Sequence, residues 1–558
     1  MRTVSGLIGA TGIAIGPARR IDDQVPEVEP VHDPMAALQA AAQRVAQELE
    51  AIAADLHGLG RSNAAEIIEA QRLMAVDPMM LESVTSGIDD GLEFGEAIAK
   101  AEADLTAMFD SIDDPYLAAR SDDVREVFRR IRYALSGTRA PDLAASAVPC
   151  IIVASDLGAG DVARLDEDRV LGLALERGGP TSHVAIIAQS LGIPAIVGAA
   201  GLLAAVNDGD IVIIDAQSGS VVVDPDHETH REALKHRDRL HDRKDAARAT
   251  RGRAVEVDGE RIQVAANVAS VSDAERAAEV MADGSGLVRT ELLFPDGAPR
   301  PSVDQQIAVY REIISKVCGT TVIRTFDFGG DKPNAMVDIA SEENPFLGIR
   351  GARVYAHDDS LFEDQVEAII RAAQDQQASI MLPMITVPAE FTALRATIAE
   401  IASRLDALTP RIGIMIEVPS IVVTLDLVIN DVDFISVGSN DLSQYLMAAD
   451  RSNPALGDMH DPLQPALVRT IAAIADTARG AGVPVSVCGQ AAGDHDAAPL
   501  FVALGVNSLS VTPALVDEVR ARLLATDIAQ LRSRAGEFLA LPNAESIRQF
   551  LAELESAT

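Results

Sequence analysis

Arg411-Ile-Gly-Ile-Met-Ile-Glu417 is an apolar run of strand length that stops on a carboxylate, and it is one of a series. Before it stand Ile262-Gln-Val-Ala-Ala266, Gly286-Leu-Val-Arg289, Thr321-Val-Ile-Arg-Thr325 and Ile380-Met-Leu-Pro-Met-Ile385; after it stand Phe434-Ile-Ser-Val-Gly438 and Val483-Pro-Val-Ser-Val487. Stretches with helical spacing separate them. This alternation, from residue 255 to residue 558, predicts a parallel sheet closed into a (β/α)8 barrel. Such a barrel carries its chemistry at the C-terminal ends of its strands. Those ends are polar here: Arg289, Arg324, Glu417, Asn440, Asp441 and Cys488, while Arg350 and Arg451 follow other segments.

Upstream of the barrel, Asp226 to Arg253 is dense in both charge signs and lacks a wide apolar face, as a solvated linker helix would. Its His227, His230, His236 and His241 read as an exposed face rather than a metal site. Further upstream, Val148-Pro-Cys-Ile-Ile-Val-Ala154, Arg169 to Leu175, Pro194 to Val197, Asp210 to Asp215 and Val221 to Val223 form a strand-rich α/β pattern. The apolar run Val4 to Pro17 is broken by Gly6, Gly9, Gly12 and Gly16, which favours a strand pair over a signal peptide. Between these strand-rich parts, Met35 to Leu59 and Ala64 to Gly87 have helical spacing. A last helix at Ser121 to Leu135 is stopped by Gly137 and Ala140-Pro141. The expected organisation is a split α/β domain (1–24 and 144–225), an inserted helical domain (25–143), a linker helix (226–254) and a barrel (255–558).

The 558 residues are 48% apolar, without tryptophan, and carry 47 basic against 84 acidic side chains, a net charge of -37. Such a surface repels nucleic acid and anionic membranes. An anionic substrate therefore needs a local cluster of arginines. The three cysteines, Cys150, Cys318 and Cys488, are too scattered for a disulfide framework and suit a reducing cytoplasm. No uninterrupted apolar stretch is long enough to imply a membrane span.

Arginines converging on one rim would make forked bonds to phosphate and carboxylate oxygens. Glu417 and Asp441 add hard oxygen ligands of the kind Mg²⁺ takes. A second constellation, Gly178-Gly-Pro-Thr-Ser-His183, precedes Val-Ala-Ile-Ile-Ala and a closing Gly192. It predicts a glycine loop opening a helix capped by Thr181 or Ser182, with His183 in the first turn, where free N–H groups favour an anion. Taken singly, a histidine at a helix start is more often a polar surface residue than a nucleophile, and a lone cysteine more often a small buried hydrophobe than an acid.

The Gly178 to Ala188 segment resembles the phosphohistidine signature of phosphoenolpyruvate-utilising enzymes. Asp327-Phe-Gly-Gly-Asp-Lys332, Glu343-Asn-Pro-Phe-Leu-Gly-Ile-Arg350 and Gly438-Ser-Asn-Asp-Leu-Ser-Gln-Tyr445 resemble barrel motifs of Enzyme I of the phosphoenolpyruvate:sugar phosphotransferase system. The resemblance implies a swivelling phosphohistidine domain with an inserted helical domain that docks the phosphocarrier HPr, followed by a TIM-type barrel that binds phosphoenolpyruvate and forms a homodimer. It implies that His183 becomes phosphorylated, that Arg289, Arg324, Arg451 and Asn440 bind substrate with Arg350 as a further phosphate ligand, that Glu417 and Asp441 hold Mg²⁺, and that Cys488 protonates the enolate. Asp122-Asp-Val-Arg125 fits the HPr-docking part. Two departures are Gln490, where Glu usually follows Cys-Gly, and Gly158-Ala-Gly160, where Thr-Pro-Ser is usual. The alternatives are a truncated synthase or dikinase relative, disfavoured by the lack of an evident nucleotide loop, and a phosphoenolpyruvate-sensing regulatory protein. With His183 and the arginine rim on separate domains, the nucleophile is expected to swing about the linker.

Overall fold

A computed structural model describes residues 1–21, 26, 28–58, 62–110, 120–138, 148–166, 169–179, 182–294, 300–330, 336–337, 342–373, 378–451 and 453–556. The chain divides into two compact units, Met1–Asp242 and Arg243–Thr558.

The first unit contains strands β1 (Arg2–Ser5), β2 (Leu7–Ala10), β3 (Ile13–Ile21), β4 (Cys150–Ala154), β5 (Val170–Leu175), β6 (Ala195–Val197), β7 (Ile211–Asp215) and β8 (Ser220–Val223). They form one sheet in the order β1-β8-β7-β3-β4-β5-β6-β2. The glycine-broken start is thus three strands, and its first two do not pair with each other: β1 lies antiparallel to β8, and β2 antiparallel to β6. Gly6 makes the turn between them and donates to the Gly219 carbonyl at 2.9 Å. A Cβ there would stand 2.5 Å from Ile196 Cγ2, so only glycine fits this crossing.

Helices Pro34–Gly58, Ser62–Ala75, Pro78–Asp89, Phe94–Asp110 and Arg120–Ser136 fill the interval between β3 and β4. Leu38, Val45, Leu49 and Ile52, spaced at three, four and seven residues, are buried with Ile98, Val127, Phe128 and Ile131. Ala64 to Gly87 is two helices, because Asp77 caps a new start by accepting from Met79 N at 2.7 Å and Pro78 occupies the first turn.

Helix His227–Arg248 buries only Ala247. Among the described residues, no helix is long and apolar enough to cross a membrane.

The second unit opens with β9 (Val255–Val257), antiparallel to β10 (Glu260–Val268). Then follow β11 (Gly284–Arg289), β12 (Thr320–Arg324), β13 (Ala378–Leu382), β14 (Arg411–Ile416), β15 (Phe434–Val437), β16 (Val485–Val487) and β17 (Ser508–Val511). All pairings from β10 to β17 are parallel, and β10 pairs with both β11 and β17, which closes the barrel. Seven of its eight strands are the apolar runs of the sequence; the eighth is Ser-Leu-Ser-Val. Outward-facing Val264, Ile323, Ile380, Ile414, Ile435 and Leu509 pack in the barrel's main core. Leu287, Met381, Met415, Phe434 and Cys488 form a separate small cluster.

Candidate active site

The register of β11 on β12 sets Arg289 opposite Arg324 at the strand ends. Arg324 is buried, bonded to Glu291 and, at 3.1 Å, to Asp327. Arg350 is wholly enclosed. Its Nε and Nη2 donate to the two Asp327 oxygens, each at 3.1 Å, and its Nη1 and Nη2 to the two Asp441 oxygens at 2.8 and 3.0 Å. Arg451 approaches Asp441 at 3.6 Å. The Phe346 ring faces both cations, 6.0 Å from Arg350 and 5.6 Å from Arg451. Asp327 can reach these arginines because its loop lies flush against Arg350. A Cβ on Gly329, whose φ is +98°, would stand 2.2 Å from the Ile349 oxygen.

Glu417 follows β14 and is buried. Its Oε1 accepts from Met384 N at 2.7 Å. Met384 is held at φ +55°, a left-handed conformation disfavoured for a side chain of this kind, at the end of β13. Burial, with Asp327 and Asp441 nearby, pushes Glu417 up to about 8. Burial acts upward on Asp441 too, but the Arg350 guanidinium overrides it and holds that carboxyl below the usual range. Gly438 leaves the room Glu417 needs, since a Cβ there would be 2.8 Å from its Oε2. This donor set fits a hard cation: two acidic oxygen donors, one kept protonated chiefly by burial and then by neighbouring carboxylates, a state that a cation would reverse. Among the described residues there is no cluster of three or more His, Cys, Asp or Glu arranged for a metal, so a cation held there would draw its further ligands from a bound anion and water.

Cys488 is buried at the end of β16, its Sγ 3.5 Å from the Val437 oxygen. Burial pushes its thiol up, which keeps it protonated at neutral pH. Asn440 accepts from Gln490 N at 2.8 Å. That contact uses the backbone and the Gln490 residue is exposed, so the departure from Glu leaves it intact.

Sequence reasoning placed the arginines but missed Glu291, Asp327 and Met384. Asp327 opens a quoted motif and Glu291 stands two residues after Arg289, and their acidity is the available signal; nothing in Leu382-Pro-Met384 announces a left-handed backbone. Arg350, expected as a further phosphate ligand, has each of its nitrogens engaged by Asp327 or Asp441.

In the first unit, helix His183–Leu191 is capped by Ser182, which accepts from Ala185 N at 3.4 Å, and closed by Gly192 at φ +69°. His183 is its first residue. Pro180, Thr181, the His183 side chain, Ala140-Pro141 and Asp331-Lys332 lie outside the described residues. Gly178, Ser182 and Val184 line a cleft of about 270 Å³ together with Arg125, Asp156 and Gly158. Beside it, Arg129 and Arg130 both bond Glu126 and Asp161, at 2.5–3.0 Å, tying helix Arg120–Ser136 to the segment after β4. The Glu126 carboxylate lies directly over Gly158, where a Cβ would be 2.4 Å from Oε1. Burial, with Asp122 and Glu126 adding charge, pushes Asp156 up to about 6.

A closed barrel whose rim joins arginines to buried carboxylates, with a histidine opening a glycine-led helix in a separate unit, defines an anion-handling enzyme of the α/β class. Three family models match the chain in order: the N-terminal segment of PEP-utilising enzymes at residues 5–120, their mobile domain at 147–219 and their PEP-binding domain at 243–528. The chain belongs to the PEP-utilising enzyme family. It is 38% identical to the multiphosphoryl transfer protein of Xanthomonas campestris pv. campestris over 99% of this chain and 67% of that one. It is 37% identical to the phosphoenolpyruvate-protein phosphotransferase of Haloferax volcanii, over 87% of this chain and 86% of that one. With the protein of the same description from Geobacillus stearothermophilus, identity is 34% over 99% and 98%.

Proposed function

We propose that this chain is a phosphoenolpyruvate-protein phosphotransferase, the Enzyme I of a sugar phosphotransferase system. It moves the phosphoryl group of phosphoenolpyruvate to His183, then to a histidine of HPr, and releases pyruvate. The observation that carries this is the rim at which Arg289, Arg324 and Arg451 meet Glu417 and Asp441. Arg289, Arg324, Arg350 and Arg451 stand there against Glu291, Asp327, Glu417 and Asp441. With Glu417 protonated, four cations face three carboxylates, too little positive charge for a trianion, which supports Mg²⁺ on Glu417 and Asp441.

Glu417 and Asp441 would hold Mg²⁺, which would supply charge neutralisation at the phosphate oxygens. Arg289, Arg324 and Arg451 grip the carboxylate and phosphate, and Asn440 contacts the substrate. The His183 imidazole attacks phosphorus, the P–O bond to the enol oxygen breaks, and its electron pair leaves as an enolate. The Cys488 thiol gives its proton to the enolate carbon, making pyruvate. The helix start at His183 then favours the phosphorylated state.

Incubation with phosphoenolpyruvate and Mg²⁺ should place an acid-labile, base-stable phosphate on the wild-type chain and none on His183→Ala. No label on the wild type would overturn the proposal. Pyruvate release that depends on added HPr would separate turnover from mere sensing.

The 25–143 segment is assigned to HPr docking and the barrel to a homodimer. Supporting the latter, Leu347, Val387, Val423 and Leu427 are 67, 45, 82 and 67% exposed. Arg353 bonds the Leu347 oxygen and Thr386, and Ser420 bonds the Thr386 oxygen, which brings the segments that carry Leu347 and Val387 and the start of the one that carries Val423 together. The cysteine usage and acidic surface support a cytoplasmic location.

A further inference from the structure

Ser436 lies on β15, and its Oγ is buried with no hydrogen-bond partner among the described residues. Its neighbour in register on β16, Ser486, is satisfied by the Ile435 oxygen at 3.1 Å. Alternation along a strand places Ser436 on the face of Phe434, and Phe434 packs with Cys488 in the small cluster that includes Leu287, Met381 and Met415. The register Ser436↔Ser486, Val437↔Val487, together with the Cys488 N to Val437 O bond of 3.1 Å, makes Ser436 the diagonal neighbour of Cys488 across two strands. An enclosed hydroxyl without a partner is a standing energetic cost, and alanine would pack there without it. The group it can serve is the sulfur beside it.

We propose that Ser436 is a positioning residue for Cys488, its hydroxyl donating a hydrogen bond to the sulfur as that sulfur loses its proton to the enolate. The proposal rests on the reading of Cys488 as the acid. In the step, the S–H bond breaks, a C–H bond forms at the enolate carbon, and the electron pair stays on sulfur. The Ser436 O–H bond remains intact and points at the thiolate. Solvent returns a proton to sulfur after pyruvate leaves. Burial and Glu417 oppose the thiolate; the Ser436 hydroxyl, near the sulfur though not in hydrogen-bond geometry with the thiol, is foremost among the groups acting the other way, ahead of Arg324 and Arg289.

The full chain is assayed with phosphoenolpyruvate, Mg²⁺ and HPr, following His183 phosphorylation by quenching and pyruvate by a coupled assay across pH. Ser436→Ala should phosphorylate His183 at close to the wild-type rate but form pyruvate roughly tenfold more slowly, the worth of a hydrogen bond to an ionised group. The alkaline limb of its pyruvate profile should move to higher pH, and Ser436→Thr, which keeps the hydroxyl, should restore both. A merely structural role would slow both steps and leave the limb in place. Wild-type pyruvate formation and an unmoved limb in Ser436→Ala overturn the proposal, provided Cys488→Ala is itself slow. Pyruvate formation unchanged in Cys488→Ala overturns the thiol assignment and this proposal together.

Discussion

The barrel rim and the glycine-lined cleft of the first unit are both built from arginines bridged by carboxylates, yet they differ in what the bridges enclose. At the rim, Asp327 serves Arg324 and Arg350 together, and all three side chains are sealed from water. In the first unit, Glu126 and Asp161 serve Arg129 and Arg130, but Arg129 keeps some exposure and Arg130 also reaches Glu48, an exposed residue. The rim is therefore an array in which no charge can be removed without stranding another. The cleft lattice is a clamp that water can partly repair. A site that must accept and release a trianion tolerates saturated ion pairs because the ligand's charge arrives with compensation.

The difference can be broken most severely at Asp327. Asp327→Asn leaves Arg324 and Arg350 short of a counter-charge in a sealed place, with an expected loss of about 3–5 kcal/mol in denaturant unfolding of the second unit. A loss under 1 kcal/mol would show that water reaches the rim and that it resembles the cleft. Next in size is Asp156, with a carboxyl pushed up to about 6 from an ordinary 3.8. The stability its protonated form carries is full below pH 3.8 and is lost as pH rises through 6. Asp156→Asn should therefore gain little at pH 4 and up to about 3 kcal/mol at pH 8, measured as unfolding of the first unit at both values. A pH-independent gain would place the cause in packing rather than charge.

Gly158→Ala drives a methyl into the Glu126 carboxylate, which Arg129 and Arg130 pin. We expect a loss of about 1–2 kcal/mol, which should vanish when Gly158→Ala is made in a Glu126→Ala background and compared with that background in the same unfolding curves. An equal loss in both backgrounds would place its cause outside the Glu126 carboxylate, and no loss in the wild-type background would mean that the carboxylate moves aside freely. The smallest effect sharpens the scale: Lys100 and Asp104 are both exposed, and Lys100→Ala should leave the unfolding midpoint of the first unit where it is.

Much of this was legible in the sequence because seven barrel strands are continuous apolar runs ending in charged or polar residues. Ser508–Val511 was not, since its serines sit on a strand of only four residues and blur the alternation. The break at Asp77-Pro78 was legible in principle, as both residues announce a helix start, but the apolar spacing runs straight through it. At the site, the arginines stood out against a chain of net charge -37, whereas Glu291 and Asp327 were lost among 84 acidic residues. Which carboxylate meets which arginine depends on the loop that Gly329 folds onto Arg350, a contact across 23 residues of sequence. Periodicity carries no information about it.

One feature of the first unit bears on how the protein is handled as well as how it folds. The sheet runs from β1 to β2, so its two outermost strands are consecutive in the chain and share the single hinge at Gly6. Without the first ten residues, β8 and β6 would each present a bare edge, an invitation to strand exchange and aggregation. The opening segment works as a hem stitched along both borders of the cloth, and shortening or crowding it during preparation would unpick two seams at once.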